Sequence, residues 1–248
     1  DFPGQGTALV GLLNAFWESK GVANAEEFRQ FSAPVVPLAR FSKAVYKNNE
    51  QFTADIEIAN YSSEEINNKN IKWALTNASG QPLQEGIIPL TNIKIGGGNI
   101  AGKISCSLSE VKKAERLTLR VSIENSSYKN TWNIWVYPAT LTIEKEEIVV
   151  TDKLTETQKA LAAGKTVLFN PPYQLCAGLQ GKFVPVFWSP VHFPKQAGTM
   201  GLLLDPTHKA FAHFPTEGHT NWQWWSLTTQ SRTLVIDSIY QHITPLVE

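Results

Sequence analysis

The sequence predicts a multidomain chain: an antiparallel β-sandwich, followed by an α/β domain and preceded by a short helical segment. Three observations carry this. Apolar residues alternate at a period of two from about Ala39 to Pro138, helical spacing precedes that stretch, and strand, helix, glycine and strand follow it. The boundaries fall at 1–37, 38–138 and 139–248. A length of 248 residues accommodates one large domain or two of ordinary size, and 42% hydrophobic residues suffice for a sizeable core.

The first segment reads as helix over residues 7–20, with Leu9, Leu12, Leu13, Phe16 and Trp17 at helical spacing, Thr7 as N-cap and Gly21 as stop. Ala25–Phe31 forms a second short helical turn with Phe28 and Phe31 on one side, ended by Pro34 and Pro37. Two helices this short cannot bury their apolar faces alone, so packing on the next domain or on a further body is expected. Gly4-Gln5-Gly6 before a helix start reads first as a tight loop and second as an anion site. No GxGxxG or GxxxxGK[ST] pattern is present.

In the sandwich, Phe52, Ala54, Ile56 and Ile58 alternate with Thr53, Asp55 and Glu57, and Ile71, Trp73 and Leu75 with Lys72 and Ala74. Further strands are read at 86–88, 102–108, 117–123 and 131–137, with turns at Asn60, 77–80, 96–98 and 125–127. Strands this short and close, without long helices between them, indicate antiparallel sheets packed face to face. Trp73 reads as core. Trp132 and Trp135, three apart on one strand, face opposite sides, so at least one of them is expected to leave the sandwich core and touch a neighbouring domain.

After Pro138 the pattern changes. Ile148–Thr151 is a strand, Leu154–Ala163 a helix stopped by Gly164, and 165–169 a second strand, which together make a βαβ unit of parallel type. Thr151 or Asp152 is expected to cap the helix. The unit has no glycine-rich phosphate loop, so a dinucleotide site is not expected. Val184–Trp188 and Met200–Leu204 read as strands, and Leu234–Ile239 as a strand or short helix.

The densest chemical cluster runs Asp205, His208, His213, Glu217, His219, then Trp222, Trp224 and Trp225. The spacing H-x4-H-x5-H matches no helical zinc motif such as HExxH. The cluster reads first as a buried, hydrogen-bonded loop, with a metal site and a ligand contact as alternatives. Nucleophilic chemistry finds no support, because no GxSxG elbow exists and nothing pairs Cys176 with a histidine. Asp205 and Glu217 are a carboxylate pair only in the sense that a distance in space would have to join them. Lys plus Arg and Asp plus Glu number 22 each, a zero net charge that gives no support to nucleic-acid binding. No apolar run is long enough for membrane insertion. Cys106 and Cys176 leave the redox compartment open. The eight Trp suit a dense core or a surface that stacks on rings. Residues 1–6 are no signal peptide, and the expectation is that the chain starts within a larger product or after processing.

Residues 1–11, DFPGQGTALVG, and 14–21, NAFWESKG, resemble the end of the catalytic barrel in glycoside hydrolase family 2, the β-galactosidase and β-glucuronidase family, in a gut-Bacteroidetes-type subgroup. Asp1, Phe2 and Gln5 then belong to the loop after the last barrel strand. Pro34 to Tyr46 resembles the link to a post-barrel immunoglobulin-like domain, and 132–138, WNIWVYP, that domain's end. Phe187-Trp188, 198–201, 205–208, 214–217 and 222–225 resemble the subgroup's C-terminal accessory domain. The C-terminal βαβ unit also resembles half of a flavodoxin-like or class I amidotransferase-like layer, whose cysteine would need a sharp strand-to-helix turn that Cys176 lacks.

The resemblance implies a fold of barrel remnant, immunoglobulin-like sandwich and α/β accessory domain. It places the family's acid/base and nucleophile glutamates upstream of Asp1, so the fragment is expected to be non-catalytic and its parent a glycosidase cleaving a terminal β-glycosidic bond. The expected partner is the rest of that hydrolase, with carbohydrate as a further ligand. Trp188, His208, His213, Glu217, His219, Trp222, Trp224 and Trp225 are the candidate ligand contacts. No cofactor or metal is expected, and the family implies a periplasmic or secreted setting. A carbohydrate-binding module and an independent metal-dependent hydrolase are the alternatives.

Overall fold

A computed structural model describes residues 11–141, 148–183, 201–236 and 244–247. The described residues divide into two compact units, one of 11–139 with Lys209–Pro215, the other of 140–141, 148–183, 201–208, 216–236 and 244–247. Among them no helix is long and apolar enough to cross a membrane.

The first unit is a mainly β structure with two sheets. It comprises helix α1 (Ala25–Phe31) and strands β1 (Val35–Arg40), β2 (Val45–Lys47), β3 (Gln51–Asn60), β4 (Ile66–Thr76), β5 (Pro82–Ile93), β6 (Gly96–Ser107), β7 (Glu115–Ile123) and β8 (Lys129–Tyr137). One sheet has the order β1-β3-β6 and the other β2-β8-β7-β4-β5. All pairings are antiparallel except β2 with β8. The expected period of two is realised directly. Phe52, Ala54, Ile56 and Ile58 of β3 face Leu117, Leu119, Val121 and Ile123 of β7 in one buried cluster that also holds Ile71, Leu75, Ile104 and Ile134. Their intervening neighbours point outward.

Trp73 packs against this cluster, as expected of a core residue, and so does Trp132. Trp135 leaves it for the outer face of the five-stranded sheet, where it pairs in register with Arg116. It is nonetheless only 2% exposed, and among the described residues its indole N–H finds no acceptor. On the same strand Tyr137 meets Phe214, with ring centroids 6.3 Å apart.

The helix expected over 7–20 is absent from its described part, 11–20. Asn14 explains the difference. Its side-chain oxygen accepts from the backbone N–H of Phe16 at 2.8 Å and of Glu18 at 3.0 Å, capturing donors that a helix would direct to carbonyls. A loop results, closed by the backbone N–H of Lys20 on the carbonyl of Leu12 at 3.0 Å, with Trp17 at φ 66°. The short helix at Ala25–Phe31 is present as read. Asn24 caps it by accepting from Glu26 and Glu27, and the Glu27 carboxylate returns a bond to the Asn24 N–H at 2.8 Å. Gln30 accepts from the Thr131 hydroxyl at 2.7 Å and Glu26 pairs with Lys129, which fixes α1 on β8. Much of the stretch read as a link, Pro34 to Tyr46, is strand. Pro37 is tolerated there because β1 is an edge strand, and its carbonyl accepts from Asn130 at 3.0 Å.

In the second unit β9 (Ile148–Thr151) and β10 (Thr166–Phe169) pair in parallel around α2 (Leu154–Ala162), the βαβ unit read from the sequence. Gly164 at φ +74° ends α2. Its N–H bonds the carbonyl of Leu161, and that of Lys165 bonds Ala160, so the last carbonyls are satisfied. The expected cap is corrected: Lys153 occupies the N-cap position without a side-chain bond. Thr151 instead braces the turn, accepting from the Lys153 N–H at 3.1 Å and donating to Glu156 at 2.7 Å. The strand expected at Met200–Leu204 is, in its described part, a pair of isolated bridges, Leu203 to His219 and Leu204 to Val247. Val184–Trp188 and residues 237–239 of the last expected element lie outside the described residues, and 234–236 have no regular structure.

Two predictions test the core. A Cβ at Gly86 would sit 2.8 Å from the Trp73 indole nitrogen, so Gly86→Ala should cost roughly 1–3 kcal/mol in urea unfolding. Burial raises the Cys106 thiol from 9.0 to about 11. The unfolded chain therefore ionises first, so this contribution is complete below pH 9 and lost as pH rises towards 11. Cys106→Ala should flatten the fall in stability across that window, measured by urea titrations at stepped pH.

Candidate functional site

The region from Asp205 to Trp225 is built mostly from short-range polar contacts. Asp205 Oδ1 accepts from the N–H of Thr207 at 3.0 Å and its hydroxyl at 2.6 Å, and these bonds hold the carboxyl below its usual range. The backbone N–H of His208 then bonds the Asp205 carbonyl at 3.1 Å, and a 3-10 turn follows at Lys209–Phe211. Residues 202–204 run beside 218–220. Leu202 N–H donates to the Thr220 hydroxyl at 2.8 Å, and Leu204 N–H to the Gly218 carbonyl at 3.1 Å.

Asn221 organises the aromatic end. Its side-chain oxygen accepts from the Gln223 N–H at 3.2 Å while its amide donates to the Glu217 carboxylate. The chain thereby enters a 3-10 turn, Trp222–Trp224, that continues into helix α3 (Trp225–Thr229). The stretch is thus helical. Trp224 is buried, its N–H donating to the Thr216 hydroxyl at 2.9 Å. Trp222 is 63% exposed, with its ring 5.3 Å from that of Phe183, and Trp225 is 51% exposed.

The expected constellation is divided. His213 belongs to the first compact unit, whereas His208, Glu217, His219, Trp222, Trp224 and Trp225 belong to the second. His219 Nδ1 lies 3.0 Å from the carbonyl of Thr220. Among the described residues no three of His, Cys, Asp or Glu group to hold a metal. Asp1, Phe2, Gln5 and Trp188 lie outside the described residues. Thr216 and Asn221 also shape this end of the chain. An asparagine directly before Trp-Gln-Trp-Trp was a legible N-cap signal, whereas the acceptor role of Thr216 carries no local signature.

Residues 50–138 match a family described as domain of unknown function DUF8488, and residues 149–248 match domain of unknown function DUF8487. No curated protein matches the sequence. Among solved structures, the Pseudomonas fluorescens alkylpurine DNA glycosylase AlkC bound to DNA is similar at 10% identity over 42% of this chain and 31% of that one, with a TM-score of 0.31. A CARDB domain from Pyrococcus furiosus is similar at 8% identity over 42% of this chain and 94% of that one, TM-score 0.33. A Parabacteroides merdae β-glucuronidase is similar at 12% identity over 41% of this chain and 13% of that one, TM-score 0.28. The chain thus spans under a third of the glycosylase and of the glucuronidase.

Trp224→Phe should cost roughly 1–3 kcal/mol in thermal or urea unfolding, since it removes a donor and buried ring volume together. Trp225→Phe should stay within about 0.5 kcal/mol, as expected of an exposed ring.

Proposed function

We propose that the chain is the non-catalytic C-terminal portion of a family 2 glycoside hydrolase, from the barrel's end onward, with an immunoglobulin-like sandwich and an α/β accessory domain that support the catalytic barrel. The observation that carries this reading is the loop of residues 11–21. It presents Phe16 at 81% and Trp17 at 83% exposure, in the stretch that resembles the barrel's end. Phe31 on α1 is also exposed. Large aromatics displayed together on one short segment suit an interface with another protein body. Covering Phe16 and Trp17 would contribute roughly 1.5–3 kcal/mol each.

Sugar contact is the second reading, favoured by the exposed faces of Trp222 and Trp225. Indole faces stack on the C–H faces of sugar rings, and His208, Glu217 and His219 of the same unit stay as candidate neighbours under it.

The test uses a separately expressed family 2 barrel of the Bacteroidetes-type subgroup, lacking its own post-barrel domains. Mixing it with this chain should raise its melting temperature by several degrees, and Phe16→Ser with Trp17→Ser should abolish the gain. The chain alone should turn over no aryl β-galactoside, β-glucuronide or β-mannoside. An unstabilised barrel, or turnover by the chain alone, overturns the reading. Tryptophan fluorescence that changes on oligosaccharide titration, and ceases to change in Trp222→Ala, would favour sugar contact instead.

A further inference from the structure

The second unit contains a groove that neither the proposed supporting role nor the aromatic loop uses. Its volume is about 620 Å³. Asp152 and Asn170, the residues that directly follow β9 and β10, both line it, so it opens at the carboxyl ends of the parallel pair. Chain leaving a parallel sheet diverges at that end and exposes strand-end groups, which is why α/β layers place their ligand crevices there. Tyr173, Cys176, Leu227 and Arg232 also line it.

Arg232 is held at two points. Its guanidinium lies over the Tyr173 ring, 4.6 Å from the centroid, and Nη1 donates to the Cys176 carbonyl at 3.1 Å. Stacking and a backbone bond together fix a side chain that otherwise has many rotamers, so little further entropy is lost when it meets a ligand. Among the described residues no carboxylate pairs with it. A pre-oriented cation beside an apolar wall and short of an anionic partner is a receptor for one, and the planar guanidinium fork matches a carboxylate in a bidentate manner.

We propose that this groove binds a small organic carboxylate. The carboxylate sits on Arg232, the apolar body lies against Leu227, and Asp152 and Asn170 meet polar substituents at the strand ends. The proposal does not depend on the supporting role proposed above, and its test leaves that role untouched.

The experiment is isothermal titration calorimetry of the full chain with benzoate, phenylacetate and inorganic phosphate, at matched ionic strength. Saturable millimolar or tighter binding of at least one carboxylate is expected, with phosphate weaker. Arg232→Gln should weaken the carboxylate roughly 10-fold or more. Leu227→Trp, which fills the groove and leaves the guanidinium in place, should do the same. Circular dichroism melts report whether each variant folds, and if Arg232→Gln melts early, Leu227→Trp decides. Absence of saturation by both carboxylates, phosphate binding as tightly as either, or unchanged affinity in the folded variants overturns the proposal.

Discussion

The interior shared by the two sheets of the first unit is the constraint from which the rest of that unit follows. Phe52, Ile56 and Ile58 on one sheet and Leu117, Leu119 and Val121 on the other are all withdrawn from water. Each is spaced by two along its strand, so the strands can neither slip by one residue nor turn over without exposing the whole set. The polar outer positions inherit their places from that register. Lys129 and Thr131 face outward because Asn130 and Trp132 face inward, and that is what lets them hold Glu26 and Gln30 of α1. Two buried polar side chains of the described residues, Asn60 and Asn130, are built into the same interior. Asn60, fully buried, donates to the carbonyls of Glu64 and Ile93 and accepts from the Ser62 hydroxyl at 2.6 Å, satisfying backbone groups where the chain leaves β3.

How much of this was legible in the sequence depended on whether the deciding force was local. The alternation around Phe52 and around Trp73, the helix at Ala25–Phe31 and the strand-helix-strand run from Ile148 could all be read, because periodicity and caps lie within a few residues. Over 11–20, the described part of the helix expected at 7–20, apolar spacing does not decide, because the side chain of Asn14 competes for backbone donors four residues away at most. The partition of β1 and β2 between different sheets could not be read, since it is set by pairing partners 15 to 90 residues distant.

The candidate site shows the same division. The run of acids, imidazoles and indoles reads first as a hydrogen-bonded loop and second as a metal or ligand site, and Asp205, Glu217 and Asn221 do direct their side chains at neighbours within four residues. Where a loop has no sheet to satisfy its backbone, such side chains stand in for one. Residue type therefore could not separate recognition from self-support there. The groove beside Arg232 had the opposite character. Its members are scattered from 152 to 234 and include no motif, so only the return of the chain past Tyr173 and Cys176 brings them together.

The parallel pairing of β2 with β8 also has a mechanical meaning. β2 lies near the start of the sandwich and β8 at its end, and both run in the same direction. Trp135 N–H to the Ala44 carbonyl, Asn48 N–H to the Tyr137 carbonyl and Ala139 N–H to the Asn48 side chain, each 2.8 Å, lie along the seam. Tension applied through residues 41 and 141 would draw these strands past one another, loading the bonds together in shear instead of peeling them apart singly. The sandwich would then transmit a pull between its two flanks as a stiff strut, giving way only when the whole seam ruptures.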